Sequence, residues 1–486
     1  MSRKYDRHVF KTISNINFLR NYGNNMNQMY NPVFISKVLK SYFFDINRLW
    51  KLNQKDLERY KNKMFRRMVR YAYTVPLYHD LYKKAGVHPD DIQVVKDIVR
   101  LPFVSKNEMK KYYPEGLISS KTRRDKLIEV STSGTTGRAL SIFVDLHDVV
   151  VGLFGYIRML REFDINWRRD RLTIIGDFAP HTVESGYINK GIFAKMRNSF
   201  LFKNMQWLDT NEKPEVLIGK INDFKPDFLG GYVGMLGHLA VLKEKGFGPD
   251  INPRVIGTTG SSVPDSLWKF IGNTFDSELF ETYGSTEAGP IAFKCRKGEY
   301  HVLSDYVHLE IIENGEYVKE SEPGHVVVTK LHGKGTPIIR YTAMNDIAGM
   351  LNVKGSCGMS GDLLTKVYGR DILSLLLSGG KVLLPASMGQ IFSRVLYELK
   401  TNKVYDVQVI QHDLKKLEIK IVFDKKLRDV GPSAEEIFSL IRNGFMKYFG
   451  SDAEIIIREV DKIDRKGSSR IVSKIDRSKF KITGYV

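Results

Sequence analysis

PDFLGGY (226–232), MLGHLAVLKEKG (235–246), PRVIGTTG (253–260), SLWKFIGNTF (266–275) and SELFETYG (277–284) follow one another in the middle of the chain. Short apolar runs bounded by Gly alternate with longer helical stretches, a pattern that predicts a parallel sheet with crossover helices. Upstream, LIEVSTSG (127–134), LSIFVDL (140–146) and RLTIIGDF (171–178) read as further short strands. Downstream the texture turns antiparallel: HVLSDYVHLEIIENGEYV (301–318) carries an Asn314-Gly315 hairpin signal, and GHVVVTKL (324–331) follows it. Beyond 370, a strand LEIKIVF (417–423), a helix AEEIFSLIRNGFMKYFG (434–450) and a strand AEIIIREV (453–460) suffice for a small α+β domain. The first hundred residues read as helical, MFRRMVRYAY (64–73) being amphipathic. The expected fold is α/β: a basic helical extension (1–60), a large domain of mixed, mainly parallel sheets with helices (61–369), and a small C-terminal α+β domain (370–486).

At 486 residues and 42% hydrophobic the chain needs at least two cores. Cys295 and Cys357 are its two cysteines, too few for a disulfide framework, which favours a reducing compartment. The run Ile372–Leu377 falls far short of the roughly 20 apolar residues of a membrane span, and the N-terminus lacks a signal-peptide pattern. A cytoplasmic location is expected. Of the net charge of +20, much sits in residues 1–70, with sixteen Lys/Arg against four Asp/Glu. That front suits either a solvated helical face or contact with an anionic membrane surface; without a nucleic-acid motif beside it, no nucleic-acid partner is expected.

Four short segments carry chemistry. Ser131-Thr132-Ser133-Gly134-Thr135-Thr136-Gly137-Arg138 follows a strand-like run: its glycines let the backbone approach an anion, its amides and hydroxyls donate, and Arg138 adds charge. It lacks the Gly-Lys-Ser/Thr ending of a Walker loop. In Glu281-Thr-Tyr283-Gly284-Ser-Thr286-Glu287 a carboxylate after a Gly-Ser-Thr turn suits Mg²⁺, Thr286 suits a phosphate oxygen, and Tyr283 offers a flat face to a purine. Pro337–Tyr341 followed by Asp346, and Gly369-Arg370-Asp371, complete the set. Each segment alone is equally an ordinary turn.

Their order and spacing resemble the adenylate-forming superfamily of acyl-CoA synthetases, adenylation domains and luciferases. Within it the chain is similar to the phenylacetate-CoA ligase branch and its capsular-polysaccharide relatives, through VPLYHDLYKKAG (75–86), LPFVSKNEMKKYYP (101–114), FLGGYVGMLGHLA (228–240) and EPGHVVVTKLHGKGTPIIRY (322–341). The resemblance implies an ATP-dependent carboxylate ligase that forms an acyl-adenylate, releases pyrophosphate and passes the acyl group to CoA or another acceptor. ATP and Mg²⁺ are the implied cofactors, and a small carboxylic acid the substrate. It further implies that 131–138 cradles pyrophosphate, that Thr286 meets the α-phosphate and that Glu287 holds Mg²⁺. Gly260, Ser261, Ser262, Tyr283 and Gly284 would form the adenine site, Asp346 and Arg370 would hold the ribose, and Asp371 would be the hinge. Tyr232 and Val233 would line the acyl pocket; His181 is either its floor or a surface-loop residue. Alternatives are a CoA-independent transferase of surface-polysaccharide assembly and a nucleotide-binding scaffold without catalysis.

Three departures stand against the family pattern. Arg340 to Asp346 is six residues where five is usual, with Asn345 in the expected slot. The C-terminal catalytic Lys position falls on Gly467 or Ser468, and Lys466 is displaced toward the N-terminus. Cys295, His301 and Cys357 match three ligands of the branch's structural zinc, while Gly355 stands at the fourth, so that zinc would need a neighbour such as Asp305 or a water. Two buried thiols and an ordinary strand His is the other reading.

Overall fold

A computed structural model describes residues 31–131, 140–178, 203–351, 355–464 and 470–486. The chain forms two compact units, Met1–Asp45 and Ile46–Val486. In the first, helix Pro32–Lys40 starts on a proline and is capped by Asn31, whose side chain accepts from the amides of Val33 and Phe34; Lys37 and Lys40 occupy its last turn. No helix among the described residues is long and apolar enough to cross a membrane.

The second unit opens with the short helix Arg48–Lys51, and the next helix, Gln54–Ala72, runs across residue 60, so the sequence-based limit at that point falls inside a helix. Leu57, Phe65, Met68, Val69 and Ala72 are buried at helical spacing, and Asn53 caps the first turn. Strands β1 (Ile128–Ser131) and β2 (Ser141–Val144) form an antiparallel hairpin. A twelve-stranded mixed sheet then organises the unit. Its parallel half comprises β3 (Leu172–Gly176), β4 (Met205–Asp209), β5 (Phe228–Tyr232), β6 (Val255–Thr259) and β7 (Glu278–Ser285), in the order β4-β3-β5-β6-β7. Helices Pro214–Phe224, Val233–Glu244 and Asp265–Phe275 make the crossovers, as the 226–284 alternation requires.

At β7 the pairing changes sense. β7 is parallel to β6 but antiparallel to β8 (Gly289–Lys294), and everything beyond is antiparallel: β9 (Tyr300–Val302), β10 (Val307–Glu313), β11 (Glu316–Tyr317), β12 (Gly324–Lys330), β13 (Asp346–Leu351) and β14 (Leu363–Arg370). Asn314 and Gly315 both take positive φ, 51° and 86°, in the two-residue turn of the β10–β11 hairpin. After Arg370, a four-stranded sheet of β17 (Val404–Asp413), β18 (Lys416–Phe423), β19 (Glu454–Glu459) and β20 (Ile471–Ser473) shares a core with helices Pro385–Tyr397 and Ala434–Phe449. Short strands β15 (Leu375–Leu376), β16 (Lys381–Leu383) and β21 (Gly484–Tyr485) tie the chain's end back to the segment that follows Arg370.

One buried ion pair anchors this scaffold. Arg158, on helix Leu146–Glu162, is fully buried; its guanidinium makes two 2.8 Å bonds to Asp305 and donates to the Ile46 carbonyl at 2.7 Å, while Arg48 adds a 3.0 Å bridge to the same carboxylate. Removing one partner would strand a charge in the interior, which costs about 3–5 kcal/mol. Asp305→Ala is therefore expected to lower the denaturant midpoint sharply at unchanged m-value, and a shift below about 1 kcal/mol by linear extrapolation would refute the assignment.

Candidate functional site

The C-terminal end of β7 collects the acidic groups. Glu281 and Tyr283 stand two apart and share a face of the strand. Tyr283 donates to Asp346 Oδ2 at 2.8 Å. Asp346 opens β13 opposite Arg370, the last residue of β14, whose Nε lies 4.0 Å from Oδ1. Burial pushes the Asp346 carboxyl up to about 6 against the pull of Arg370 and Tyr283, and Glu287 adds to the rise. β9 pairs with β14 only through Leu363 and Leu364, whereas β14 stays paired with β13 out to Arg370.

The six-residue spacing is thereby explained. Asn345 takes φ 54° and is committed to backbone: its side-chain amide donates to the Ala343 carbonyl at 3.1 Å, and its own carbonyl accepts from Asp371 at 2.7 Å. The carboxylate that meets Tyr283 and Arg370 is that of Asp346. Arg340 points elsewhere, into a buried pair with Glu310 (2.8 and 3.1 Å), a 2.7 Å bond to the Leu101 carbonyl and a cation–π contact with Phe103 at 3.9 Å.

Glu287 is buried and accepts from Tyr341 at 3.1 Å. Glu281 accepts from the Val263 amide at 3.1 Å while Ser262 donates to the Val367 carbonyl at 2.6 Å, so the loop at 260–263 is clamped between β7 and β14. Burial drives the Glu281 carboxyl up to about 7, opposed by the Val263 amide and Lys294. Gly260 has φ 87°, and a Cβ there would lie 2.5 Å from the Tyr232 ring; Tyr232 thus packs directly on the 260–263 loop. Gly284 is required by closeness, a Cβ at that position lying 2.7 Å from the Gly289 carbonyl oxygen. Val233 is buried in the apolar core of the parallel half, not facing a cleft. Thr286 stands in the turn between β7 and β8, and Ser261 is exposed in its loop. Ser131 ends β1, its hydroxyl 2.7 Å from that of Ser141. Thr132, Ser133, Gly134, Thr135, Thr136, Gly137 and Arg138, together with His181 and Lys466, lie outside the described residues.

Where Arg370 ends β14, Asp371 begins a charged latch. Its carboxylate meets Arg477 at 2.7 Å and His325 Nε2 at 3.4 Å; His325 Nδ1 lies 3.0 Å from Glu313, which also accepts from Tyr485 at 3.0 Å. Burial would raise the Asp371 carboxyl, but His325 and Arg477 hold it down at about 2.

Cys295, Glu299, His301 and Cys357 gather with their ligand atoms within 4.8 Å of one another. His301 Nε2 lies 3.0 Å from Cys357 Sγ and 3.3 Å from Glu299 Oε2. A Cβ on Gly355 would come 2.3 Å from His301 Cε1 and 3.0 Å from Glu299 Oε2, so the space at 355 is taken by the carboxylate. Two thiols, an imidazole and a carboxylate fit a tetrahedral zinc donor set. Asp305 is not the fourth donor expected from sequence: it is consumed by Arg158 and Arg48. Sequence reasoning also missed Glu281, Tyr341 and Lys106. Lys106 begins helix Lys106–Tyr112 within electrostatic reach of Glu287 and Arg370, and burial, then Lys110 and Arg370, press its ammonium pKa down while Glu287 opposes them.

The fold is shared with a solved structure: 2-hydroxyisobutyryl-CoA ligase, in the postadenylation state with a bound acyl-AMP, superposes with a TM-score of 0.68 at 16% identity over 87% of this chain and 90% of its own. By sequence the chain is similar to phenylacetate-coenzyme A ligases. It is 26% identical over 309 residues to that of Aromatoleum evansii, covering 61% of this chain and 67% of the relative. It is 25% identical over 300 residues to that of Pseudomonas putida, covering 60% of this chain and 65% of the relative. The matched stretch thus spans about two thirds of each relative's length. No family model matches the chain.

The latch carries a pH signature. The carboxylates of Asp371 and Glu313 raise the His325 pKa above 6.5, against burial, with the Asp371 hydrogen bond the largest cause. Its stabilisation is therefore complete below about pH 6.5 and is lost as pH rises through the raised folded value. The melting-temperature gap between wild type and His325→Gln is expected to be widest near pH 6 and to close in the alkaline range; a gap independent of pH would contradict this.

Proposed function

We propose that this chain is an ATP-dependent carboxylate ligase that joins a small organic acid to AMP, releases pyrophosphate and transfers the acyl group to the thiol of CoA. The observation that carries this reading is the convergence of Tyr283, Glu287, Asp346 and Arg370 where β7 ends. Open α/β sheets bind ligands beyond the carboxyl ends of their strands. Asp346 would accept the ribose hydroxyls, with Arg370 beside it, and the 260–263 loop held by Glu281 would flank the adenine. The loop at 131–138 would meet the phosphates. A Mg²⁺ held by Glu287 would offset the repulsion between triphosphate and attacking carboxylate.

In the first half-reaction a carboxylate oxygen attacks the α-phosphorus and pyrophosphate leaves; in the second the thiol sulfur attacks the acyl carbon and AMP leaves. Both are displacements in which preorganised charge does most of the work. A pivot at Asp371, between the large and small domains expected from sequence, would let one chain present different residues to the two steps. Aryl acids are the first substrates to test, because the curated relatives are named for phenylacetate. A ligase of this kind exchanges labelled pyrophosphate into ATP only when its acid is present. Glu287→Gln and Asp346→Asn are each expected to cut that exchange a hundredfold or more, as loss of a transition-state charge contact does; exchange near the wild-type rate in both would remove the site from this reading.

The same reading gives Cys295, His301, Cys357 and Glu299 a structural zinc that staples β8, β9 and the approach to β14, strands adjoining β7 and carrying Arg370. About one equivalent of zinc is expected in the purified protein by elemental analysis, with chelation lowering the melting temperature and Glu299→Gln weakening retention. Metal-free protein with unchanged stability would leave the cluster as two free thiols.

A further inference from the structure

We propose that Tyr341 is the positioning residue for Glu287, its hydroxyl holding one carboxylate oxygen so that the other is left for Mg²⁺. The inference rests on the acyl-adenylate reading above, in which Glu287 holds the metal, and deepens it. The Tyr341 hydroxyl donates to Glu287 Oε1 at 3.1 Å, and Glu287 Oε2 accepts no hydrogen bond from the described residues. Glu287 sits in the turn between β7 and β8, where the Ala288 amide donates to the Ser285 hydroxyl at 3.0 Å. That bond steadies the backbone of the turn, but a glutamate side chain has further torsions beyond it. The Tyr341 hydroxyl is what fixes the carboxylate.

Tyr341 suits this role because the stretch around it is held from three sides. It exchanges both backbone bonds with Val328 of β12, at 3.1 Å each. Val104 donates to the Arg340 carbonyl at 2.9 Å and accepts from the Thr342 amide at 3.0 Å. The Tyr78 hydroxyl donates to the Pro337 carbonyl at 2.8 Å and accepts from the Ile339 amide at 3.1 Å. Tyr341 is itself fully buried, so close packing restricts its ring and aims its hydroxyl.

Charge sets Glu287 apart from other acids of the interior. Asp148, Asp305, Glu310 and Asp362 meet Lys330, Arg158, Arg340 and Lys61 at 2.6, 2.8, 2.8 and 3.1 Å. Glu287 is comparably buried, yet among the described residues it forms no ion pair. A buried carboxylate calls for a cation or several donors, and Tyr341 supplies one donor. Mg²⁺ is a hard cation that takes oxygen ligands and keeps much of its own water. A carboxylate with one oxygen committed and one open fits it. Outer hydrogen bonds of this kind orient a ligating carboxylate, and losing one typically costs about 10–100-fold in metal affinity or activity.

The test compares Tyr341→Phe with Tyr78→Phe, which removes a buried hydroxyl from the same neighbourhood without touching Glu287. Circular dichroism and melting temperature are recorded for both. ATP and adenosine affinities are measured by calorimetry across a Mg²⁺ series, and acid-dependent pyrophosphate exchange is followed over the same series. Tyr341→Phe is expected to raise the Mg²⁺ midpoint for ATP binding about tenfold or more, to leave adenosine affinity and metal-free ATP affinity within twofold of wild type, and to recover exchange at saturating Mg²⁺. Tyr78→Phe should lower the melting temperature and leave the Mg²⁺ midpoint in place. In a Glu287→Gln background, Tyr341→Phe should shift the midpoint no further. A midpoint within twofold of wild type in Tyr341→Phe would overturn the proposal, as would an equal shift in Tyr78→Phe or a full shift in the Glu287→Gln background. Wild-type ATP binding indifferent to Mg²⁺ would overturn it as well. The binding arm keeps the two ideas separate: Mg²⁺-dependent ATP binding with no exchange for any acid contradicts the ligase reading, while the midpoint still decides the role of Tyr341.

Discussion

β7 is hydrogen-bonded along one edge to a parallel neighbour and along the other to an antiparallel one, and the rest of the candidate site follows from that change of sense. On the β6 side the crossover connection sends the chain away through a helix, leaving the loop at 260–263 at the carboxyl end of the sheet. On the β8 side a tight turn reverses the chain at once and delivers Glu287 to the same end. β9 is three residues long and leaves β14 at Leu364, while β14 stays paired with β13 as far as Arg370, opposite Asp346, which meets the Tyr283 hydroxyl. A parallel neighbour in place of β8 would send the chain away through a crossover before Glu287 could fold back.

The energetic character of the region is a concentration of buried acids. Glu281, Glu287 and Asp346 are each less than a tenth exposed, and burial raises the carboxyls of Glu281 and Asp346. Tyrosine hydroxyls and a backbone amide hold one oxygen of each, and Arg370 compensates Asp346 only in part, at 4.0 Å. The site is therefore preorganised, with the Glu281 and Asp346 carboxyls raised toward neutrality. Ligands that bring both a cation and a polyanion suit such a place.

Much of this was legible in sequence, for identifiable reasons. The strand–helix alternation over 226–284 has a period that local composition encodes, and the Asn314-Gly315 turn demands positive φ at both residues, which few other pairs accept. The preference for Asp346 over Asn345 gains support only in three dimensions, where Asn345 spends its amide on a backbone carbonyl and Asp346 meets Tyr283. Glu299 could not be chosen over Asp305 as the fourth partner of the cysteine–histidine cluster, because that choice depends on Arg158, distant in sequence, claiming Asp305 for itself. The tie between Tyr341 and Glu287 was invisible for a similar cause, since the two stand 54 residues apart and meet only in the fold.

The central claim is that a carboxylate of the substrate becomes bonded to the α-phosphorus of ATP. It is tested most directly by supplying an acid labelled with ¹⁸O in both carboxyl oxygens and recovering the nucleotide product after thioester formation. The acyl–oxygen bond breaks when the thiol attacks, so AMP should carry one ¹⁸O and pyrophosphate none; unlabelled AMP, or label in ADP or phosphate, would contradict the account.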